Sequence, residues 1–244
     1  MNCALCIVNC KKGVSVIMVI NTRKQLESDI LELKRKMMQL GRMSEDAISR
    51  AVWALKNRDT ATAQIIIDGD DVIDDFTDQI DNECMNFAAR YQPLGQDLRT
   101  IQSMTHMAMD FERIADYGVN ISRVTVKMDG KEWIKPLIDI PRMVDIISEM
   151  ISKSLTALDV CDEGFAIQVF KLDETVDDIE KQIMRELFLL MMEKPSRIEQ
   201  GFMLMNIARA LERAGDHVTN VAERICYICT GKKVKASDHK RPKQ

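Results

Sequence analysis

The sequence contains few of the residues that break helices or favour β-sheets. Of its 244 residues only 10 are glycine and 5 are proline, and aromatic residues make up 5% of the chain. Glycine and proline interrupt helices, whereas aromatic residues are enriched in strands. Because these residues are scarce and methionine is abundant, at 17 residues, the composition favours long helices over a β-sandwich.

Residues typical of common catalytic sites are also scarce. The chain has 3 histidines, and one of them, His239, lies near the C-terminus, so few side chains are available for histidine-based acid–base catalysis. The sequence contains no glycine-rich phosphate loop and no G-x-S-x-G nucleophile motif. The net charge of −4 gives no reason to expect a nucleic acid partner.

The first 21 residues differ from the rest of the chain. They contain Cys3, Cys6 and Cys10 in a C-x-x-C-x-x-x-C string without a further ligand nearby, which is a weak metal-binding signal. The apolar run at 14–20 is too short to span a bilayer, and no basic region precedes it as in a signal peptide. We interpret residues 1–21 as a disordered or misassigned segment.

The other four cysteines lie in apolar or helical stretches of the sequence. They are Cys84, Cys161, Cys226 and Cys229. Free cysteine often behaves as a small buried hydrophobe, and disulfides are rare in reducing compartments. We therefore predict four reduced, buried thiols in a cytoplasmic protein.

From Thr22 onward, apolar residues recur at intervals of three and four, which predicts amphipathic helices. Thr22, Asp59 and Asp162 are suitable N-caps, and Gly231 is a suitable helix stop. The predicted helices cover approximately residues 22–57, 60–91, 96–127, 140–159, 163–194 and 195–230.

These six helices fall into two groups of three. A turn dipeptide at Asp129-Gly130 and the following Pro136 interrupt the helical pattern. Connections within each half are short, so neighbouring helices should run antiparallel. We predict an all-α fold of two tandem three-helix bundles. The expected units are repeat one at 22–128, a linker at 129–139, repeat two at 140–231 and a basic tail at 232–244.

One acidic motif occurs twice, with the pattern E-R-x-x-D-x-x-x-N. The first copy starts at Glu112 and includes Asp116, and the second starts at Glu212 and includes Asp216. Residues four apart share one helix face, so each copy forms an acidic line on the flank of its helix. The repetition indicates a structural unit that is used twice.

A second acidic spacing precedes each copy of this motif. Asp70 and Asp74 are four apart on the second predicted helix, and Asp173 and Asp177 are four apart on the fifth. If the acidic flanks of neighbouring antiparallel helices face each other, each half has four carboxylates in one surface patch. The predicted site residues are Asp70, Asp74, Glu112, Asp116, Asp173, Asp177, Glu212 and Asp216.

Clustered carboxylates repel one another unless positive charge lies between them. Iron, zinc, manganese or magnesium would meet this need with oxygen ligands. The Glu-x-x-His motif of di-iron bundles is absent from the sequence. The alternative is that these acids are solvated or form salt bridges, and Arg113 and Arg213 are candidate salt partners of this kind.

In these motifs the sequence resembles the PhoU family, the accessory and regulatory proteins of the bacterial phosphate-specific ABC transporter. The resemblance rests on the segments 111–121 and 211–223, on R-x-x-P-x-x-x-D-L-R at 90–99, and on the D-x-x-[IV]-D segments at 70–74 and 173–177. It covers about residues 22–234, with both repeats in order.

The resemblance implies that the two bundles are related by pseudo-twofold symmetry and that the eight acidic residues hold metal clusters. It implies a non-enzymatic negative regulator of phosphate uptake and of the phosphate-starvation response. The implied partners are the ATPase subunit of the phosphate ABC transporter and a phosphate-responsive sensor histidine kinase. We also expect a cytoplasmic homodimer that reaches the membrane only through its partners.

Two other functions remain open from the residues themselves. The same carboxylates would suit a carboxylate-metal phosphohydrolase acting on phosphate esters or polyphosphate. A purely structural helical adaptor is a third possibility, and it predicts that no metal is bound.

Overall fold

The protein is built from α-helices that follow one another with short connections. A computed structural model describes residues 12–128 and 130–238, with residues 12–22 described by their backbone alone. The helices are α1 (Lys12–Asn57), α2 (Thr60–Asp68), α3 (Asp70–Tyr91), α4 (Gln96–Lys127), α5 (Asp139–Val160), α6 (Glu163–Glu193) and α7 (Ile198–Thr230). Short 3-10 turns lie at Pro195–Arg197 and Ala236–Asp238, and the described residues contain no strand. The predicted all-α class is confirmed.

Several predicted helix ends are confirmed by their hydrogen bonds. The carboxylates of Asp59 and Asp162 accept backbone N–H bonds at the starts of α2 and α6. Gly231 ends α7 with a φ of 73°, in the left-handed region that glycine adopts at little cost. These ends were predictable because short polar side chains and glycine have specific roles at helix termini.

Two predicted helix boundaries are wrong. Helix α1 begins at Lys12 and not at Thr22, because a capping residue type does not by itself end a helix and no proline lies upstream. The second predicted helix is interrupted at Gly69, whose N–H donates to the carbonyl of Ile65. Asp70 therefore opens α3, in the first turn, where the helix dipole favours a carboxylate.

The helices form two equivalent groups of three. In the first half α1, α3 and α4 pack together, with α2 also against α1 and α4, and in the second half α5, α6 and α7 pack together. Between the halves α1 contacts its equivalent α5, and α4 contacts its equivalent α7. Tyr117 and His217 occupy matching positions of the doubled motif, and their rings lie 5.9 Å apart. Two three-helix bundles thus pack about a pseudo-twofold axis, as predicted.

A single hydrophobic core runs through both halves. Phe111 on α4 is fully buried at its centre. A Cβ added to Gly41 on α1 would lie 3.0 Å from the Phe111 ring and 2.8 Å from Leu155 on α5. The two halves are therefore joined tightly around Phe111. Among residues 12–128 and 130–238, no helix is both long and apolar enough to cross a membrane.

The prediction of four buried thiols is wrong for two of them. Cys161 and Cys229 form a disulfide that joins the turn between α5 and α6 to the end of α7. Helical periodicity could not show that these two helix ends meet, at a Cα–Cα distance of 5.5 Å. Cys84 and Cys226 are buried free thiols, as predicted, and burial raises the pKa of each to about 11.

Candidate metal centre

Three predicted site residues of the first half lie in one cluster. Asp70 and Asp74 come from α3 and Asp116 comes from α4, and one carboxylate oxygen from each lies within 4.8 Å of the others. The facing acidic flanks predicted for this pair of helices are therefore confirmed. Glu112 lies outside this group of three, one turn before Asp116 on α4, and we call all four residues the first acidic cluster.

Charge repulsion within the first acidic cluster changes how its carboxyl groups ionise. Burial, followed by the charges of Asp74 and Asp116, raises the pKa of Asp70 above its ordinary value. Burial and the charge of Asp116 likewise raise the pKa of Asp74, and burial with the charges of Asp74 and Asp116 raises that of Glu112. One buried oxygen of Asp70 has no hydrogen-bond partner among the described residues. The folded protein therefore bears a cost for these charges, which a bound cation would offset.

The predicted salt partner Arg113 is confirmed, but it compensates only part of this charge. Its guanidinium lies 2.9 Å from Asp116, and its side chain is 59% exposed. The positive charge of Arg123, which the sequence did not single out, opposes the raised pKa of Asp70. The four carboxylates outnumber these two arginines, so excess negative charge remains in the cluster. An exposed ion pair also contributes little free energy.

The second acidic cluster comprises Asp173 and Asp177 on α6 and Glu212 and Asp216 on α7. Burial raises the pKa of Glu212, and the charges of Asp216, Asp177, Glu180 and Asp173 raise it further. The other three predicted residues therefore all act on Glu212. Within residues 12–128 and 130–238, however, only the first cluster places three carboxylate oxygens within 4.8 Å.

Two acidic neighbours escaped the sequence analysis. Glu180 acts on Glu212 in the second cluster, and Asp78 acts on Glu112 in the first. Glu180 is three residues after Asp177, and Asp78 is four residues after Asp74. Such spacings place them one turn further along the same helix face, so extending the acidic line by one turn would have found both.

Asp173 is fully buried, which differs from the prediction of a surface-lying residue. On the opposite helix, a Cβ added to Gly215 would lie 3.0 Å from a carboxylate oxygen of Asp173. The first copy of the motif has Ala115 at the position of Gly215. The missing side chain lets α7 approach α6 closely and cover Asp173, and helical periodicity does not report the distance between helices.

The donor groups fit a hard or borderline divalent or trivalent cation. Both clusters are built from carboxylates, whose oxygens suit iron, manganese, magnesium and zinc. The nearest histidine in the repeated motif, His217, is engaged elsewhere, with its Nδ1 2.8 Å from Asp110 on α4. The first cluster has the closest oxygens and one buried oxygen without a hydrogen bond, so it fits a cation best. Metal binding by the eight residues stays a prediction.

We expect the metal-free protein to gain stability from the first cluster as the pH falls. Its raised pKa values mean that the folded state disfavours the charged carboxylates. This cost is present above the folded-state pKa values and disappears as the pH falls through them toward the ordinary values of 3.8 and 4.5. Thermal unfolding of chelator-treated protein between about pH 4 and 7 measures the effect.

Two variants decide whether the cluster causes this pH dependence. Asp74→Asn should raise the stability of the metal-free protein near neutral pH and flatten its change with pH. Asp145→Asn, at an exposed position on α5, is the control and should follow the wild-type profile. Parallel profiles for the wild type and Asp74→Asn would show that the cluster carries no electrostatic cost.

Comparison with known proteins finds the same family along both halves of the chain. The family model described as PhoU domain matches residues 37–125 and 140–225. A phosphate-specific transport system accessory protein PhoU homolog from Clostridium acetobutylicum is 34% identical over 218 residues, covering 89% of this chain and 100% of that protein. A protein of the same description from Pseudomonas putida is 31% identical, covering 89% of this chain and 86% of that protein.

Solved structures show the same fold. The crystal structure of the phosphate transport system regulatory protein PhoU from Streptococcus pneumoniae matches with a TM-score of 0.80 and 25% identity, covering 86% of this chain and 99% of that one. PhoU from Pseudomonas aeruginosa matches with a TM-score of 0.73 and 28% identity, covering 87% of this chain and 99% of that one. With two family domains and full-length relatives above 30% identity, this chain belongs to the PhoU family.

Proposed function

We propose that this protein is a metal-binding negative regulator of phosphate uptake and of the phosphate-starvation response, working with a phosphate-specific transport system. Its relatives from C. acetobutylicum and P. putida are described as accessory proteins of such systems, and the S. pneumoniae protein is described as a regulatory protein. The observation that carries the proposal is the acidic cluster between α3 and α4, placed on a fold shared with these proteins.

The proposed mode of action is docking rather than turnover. The partners would be the ATPase subunit of the phosphate ABC transporter and a phosphate-responsive sensor histidine kinase. A homodimer of this chain would bind them at the cytoplasmic face of the membrane. The two repeats, at 22–128 and 140–231, would each present one acidic cluster. Helix pairs held at a fixed distance make a well-defined surface for such partners.

A bound cation would supply charge neutralisation to both clusters. In the first half Asp70, Asp74, Glu112 and Asp116 would hold it, which would fasten α3 to α4. In the second half the corresponding ligands are Asp173, Asp177, Glu212 and Asp216, on α6 and α7. Because the acids repel one another without a cation, metal loading should rigidify both helix pairs and the surfaces they form.

Deleting the gene tests the regulatory role. In phosphate-rich medium we expect the deletion to switch on a phosphate-starvation reporter and to increase phosphate uptake. The wild-type gene on a plasmid should restore repression, and an empty plasmid is the control. A deletion strain with normal repression and normal uptake would contradict the proposed regulation.

A carboxylate-metal phosphohydrolase is the second candidate function. The observation in its favour is that the first cluster is partly open, with Asp74 exposed to solvent. Two-metal hydrolysis needs ions about 3.5–4 Å apart and an open position for the substrate. We expect purified protein with Mn²⁺ or Mg²⁺ to leave phosphate esters and polyphosphate intact. Turnover that disappears in an Asp74→Asn variant would instead establish the hydrolase.

A further inference from the structure

A broad groove lies beside the first acidic cluster, on the outer side of the first bundle. Its volume is about 850 Å³. Helix α1 forms one wall, and the break between α2 and α3 at Gly69 forms the other. The second half has no counterpart of this break, because α6 is continuous from Glu163 to Glu193. The groove therefore belongs to one repeat and is not part of the duplicated metal-binding design.

The floor and the far rim of the groove are apolar. Met38 and Met43 from α1 and Ile66 and Ile73 from the two shorter helices line it. On the rim, Ile65 is 59% exposed and Val72 is 61% exposed. Large aliphatic side chains exposed along a concave surface are typical of a binding groove, and methionines adapt readily to the shape of a partner.

The wall formed by α1 carries more basic than acidic side chains, and Asp46 is the acid among them. Arg35, Arg42 and Arg50 all line the groove. Arg35 lies 3.4 Å from Glu32, and Arg50 lies 3.2 Å from Asp46, in exposed pairs within α1. Such pairs contribute little free energy and are easily exchanged for others. Arginine is also the cation best suited to bidentate pairing with a partner's carboxylate.

The spacing of the three arginines selects the type of partner. Arg35 and Arg42 are seven residues apart and Arg50 follows eight residues later, which on a helix corresponds to roughly 10 and 12 Å. These separations are too large for three guanidinium groups to converge on one phosphate. They do match carboxylates placed every two turns along a second helix lying parallel to α1.

We propose that this groove docks an acidic amphipathic helix of a partner protein. The apolar face of the partner helix would lie on Met38, Met43 and the rim residues, with its carboxylates against the arginines of α1. The distance from Arg35 to Arg50 corresponds to a partner helix of about 15 residues. This arrangement is a helix-in-groove interaction, in which buried apolar contacts give affinity and charge fixes the register.

This inference deepens the proposed docking function and rests on it, since it names one surface through which the regulator would meet a partner. Asp70 lines the groove and also belongs to the first acidic cluster. The groove and the cluster are thus continuous. A helix seated in the groove would lie beside the metal-binding residues, so its carboxylates must lie on the α1 side, away from the negative charge of the cluster.

Binding of a synthetic peptide tests the groove directly. The probe is a fluorescent helical peptide of about 15 residues, with leucines on one face and glutamates every two turns beside them. A matched peptide carries lysine in place of each glutamate. We expect fluorescence anisotropy to show saturable binding of the acidic peptide to the full-length protein, and Arg42→Glu with Arg50→Glu to weaken it roughly tenfold or more.

Further variants separate this interaction from non-specific attraction. The double variant Lys153→Glu and Arg209→Glu changes the net charge by the same amount as Arg42→Glu with Arg50→Glu, but on the other half of the molecule. It should leave binding of the acidic peptide unchanged. Val72→Ser removes an exposed apolar side chain from the rim and should weaken binding of the acidic peptide. Circular dichroism checks that this variant stays folded. Equal binding of the lysine peptide, or no effect of the Arg42 and Arg50 changes, would overturn the proposal.

Two other outcomes would also overturn it, and neither depends on phosphate regulation. Absence of acidic-peptide binding would show that the groove is not a docking site, even if the gene deletion derepresses the reporter. Displacement of the peptide by an equimolar amount of tripolyphosphate would show a small-anion site. Conversely, peptide binding together with normal repression in the deletion strain would support the groove and contradict the regulatory function.

Discussion

Changing Asp70, Asp74 and Asp116 together to asparagine should greatly weaken metal binding at the first acidic cluster. The three carboxylates supply the oxygens that lie within 4.8 Å of one another, and neutral amide oxygens cannot offset a cation's charge. We expect the affinity of this site for Mn²⁺ or Fe²⁺ to fall by roughly 100-fold or more, equivalent to about 2.7 kcal/mol. Metal analysis after dialysis and calorimetric titration measure this loss.

The same substitutions should stabilise the protein when no metal is present. Because the cluster's raised pKa values reflect a cost of its charges near neutral pH, removing the charges removes that cost. The combination of weaker metal binding and higher metal-free stability distinguishes a ligand set from a set of structural salt bridges. Loss of a structural salt bridge would lower stability instead.

Neighbouring exposed acids outside the cluster provide the matched control for this triple variant. Asp68 on α2 and Asp71 and Asp75 on α3 are exposed, and changing all three to asparagine removes the same formal charge. We expect this control to retain metal binding within a few-fold of the wild type. If both triple variants lose metal equally, the binding reflects the general negative charge of the surface and not a defined site.

Phe111→Ala should destabilise the whole molecule by about 3–5 kcal/mol. The ring is fully buried, and it fills the space where α1, α4 and α5 meet, next to Gly41 and Leu155. Truncation removes its apolar contacts and leaves a cavity that packed helices cannot easily close. Because the core is continuous through both halves, we expect the entire unfolding transition to move to lower denaturant concentration.

Met109→Ala is the control for this core substitution. Met109 lies two residues before Phe111 on α4, and its side chain is 56% exposed. Exposed substitutions usually change the free energy of unfolding by less than about 0.5 kcal/mol. Urea unfolding followed by circular dichroism measures both variants. Similar losses for Met109→Ala and Phe111→Ala would contradict the placement of Phe111 at the junction of the halves.

Much of the fold follows from patterns that act over a few residues. The helix ends at Asp59, Asp162 and Gly231 were predictable because capping depends on local backbone hydrogen bonds. The break at Gly69 was not recognised, since a single glycine is often tolerated inside a helix at a cost of only about 1 kcal/mol. Periodicity also gave no information on which helix ends meet, so the disulfide between Cys161 and Cys229 was missed.

The sequence predicted which residues of the candidate site lie together, but it did not predict how deeply each of them is buried. Asp70, Asp74 and Asp116 were found because residues four apart share a helix face and the pattern occurs twice. The burial of Asp173 was not predictable, because it depends on how closely α7 approaches α6 at Gly215. Sequence spacing fixes directions around one helix, whereas burial depends on the distance between two helices.

We propose that the acidic clusters bind metal and that this metal is needed for phosphate regulation. The most direct test replaces Glu112, Asp116, Glu212 and Asp216 together with glutamine or asparagine in the chromosomal gene. Protein levels, the metal content of the purified protein and repression of a phosphate-starvation reporter are then measured in phosphate-rich medium. We predict normal protein levels, loss of bound metal and loss of repression. Full repression by a variant that no longer binds metal would contradict the claim.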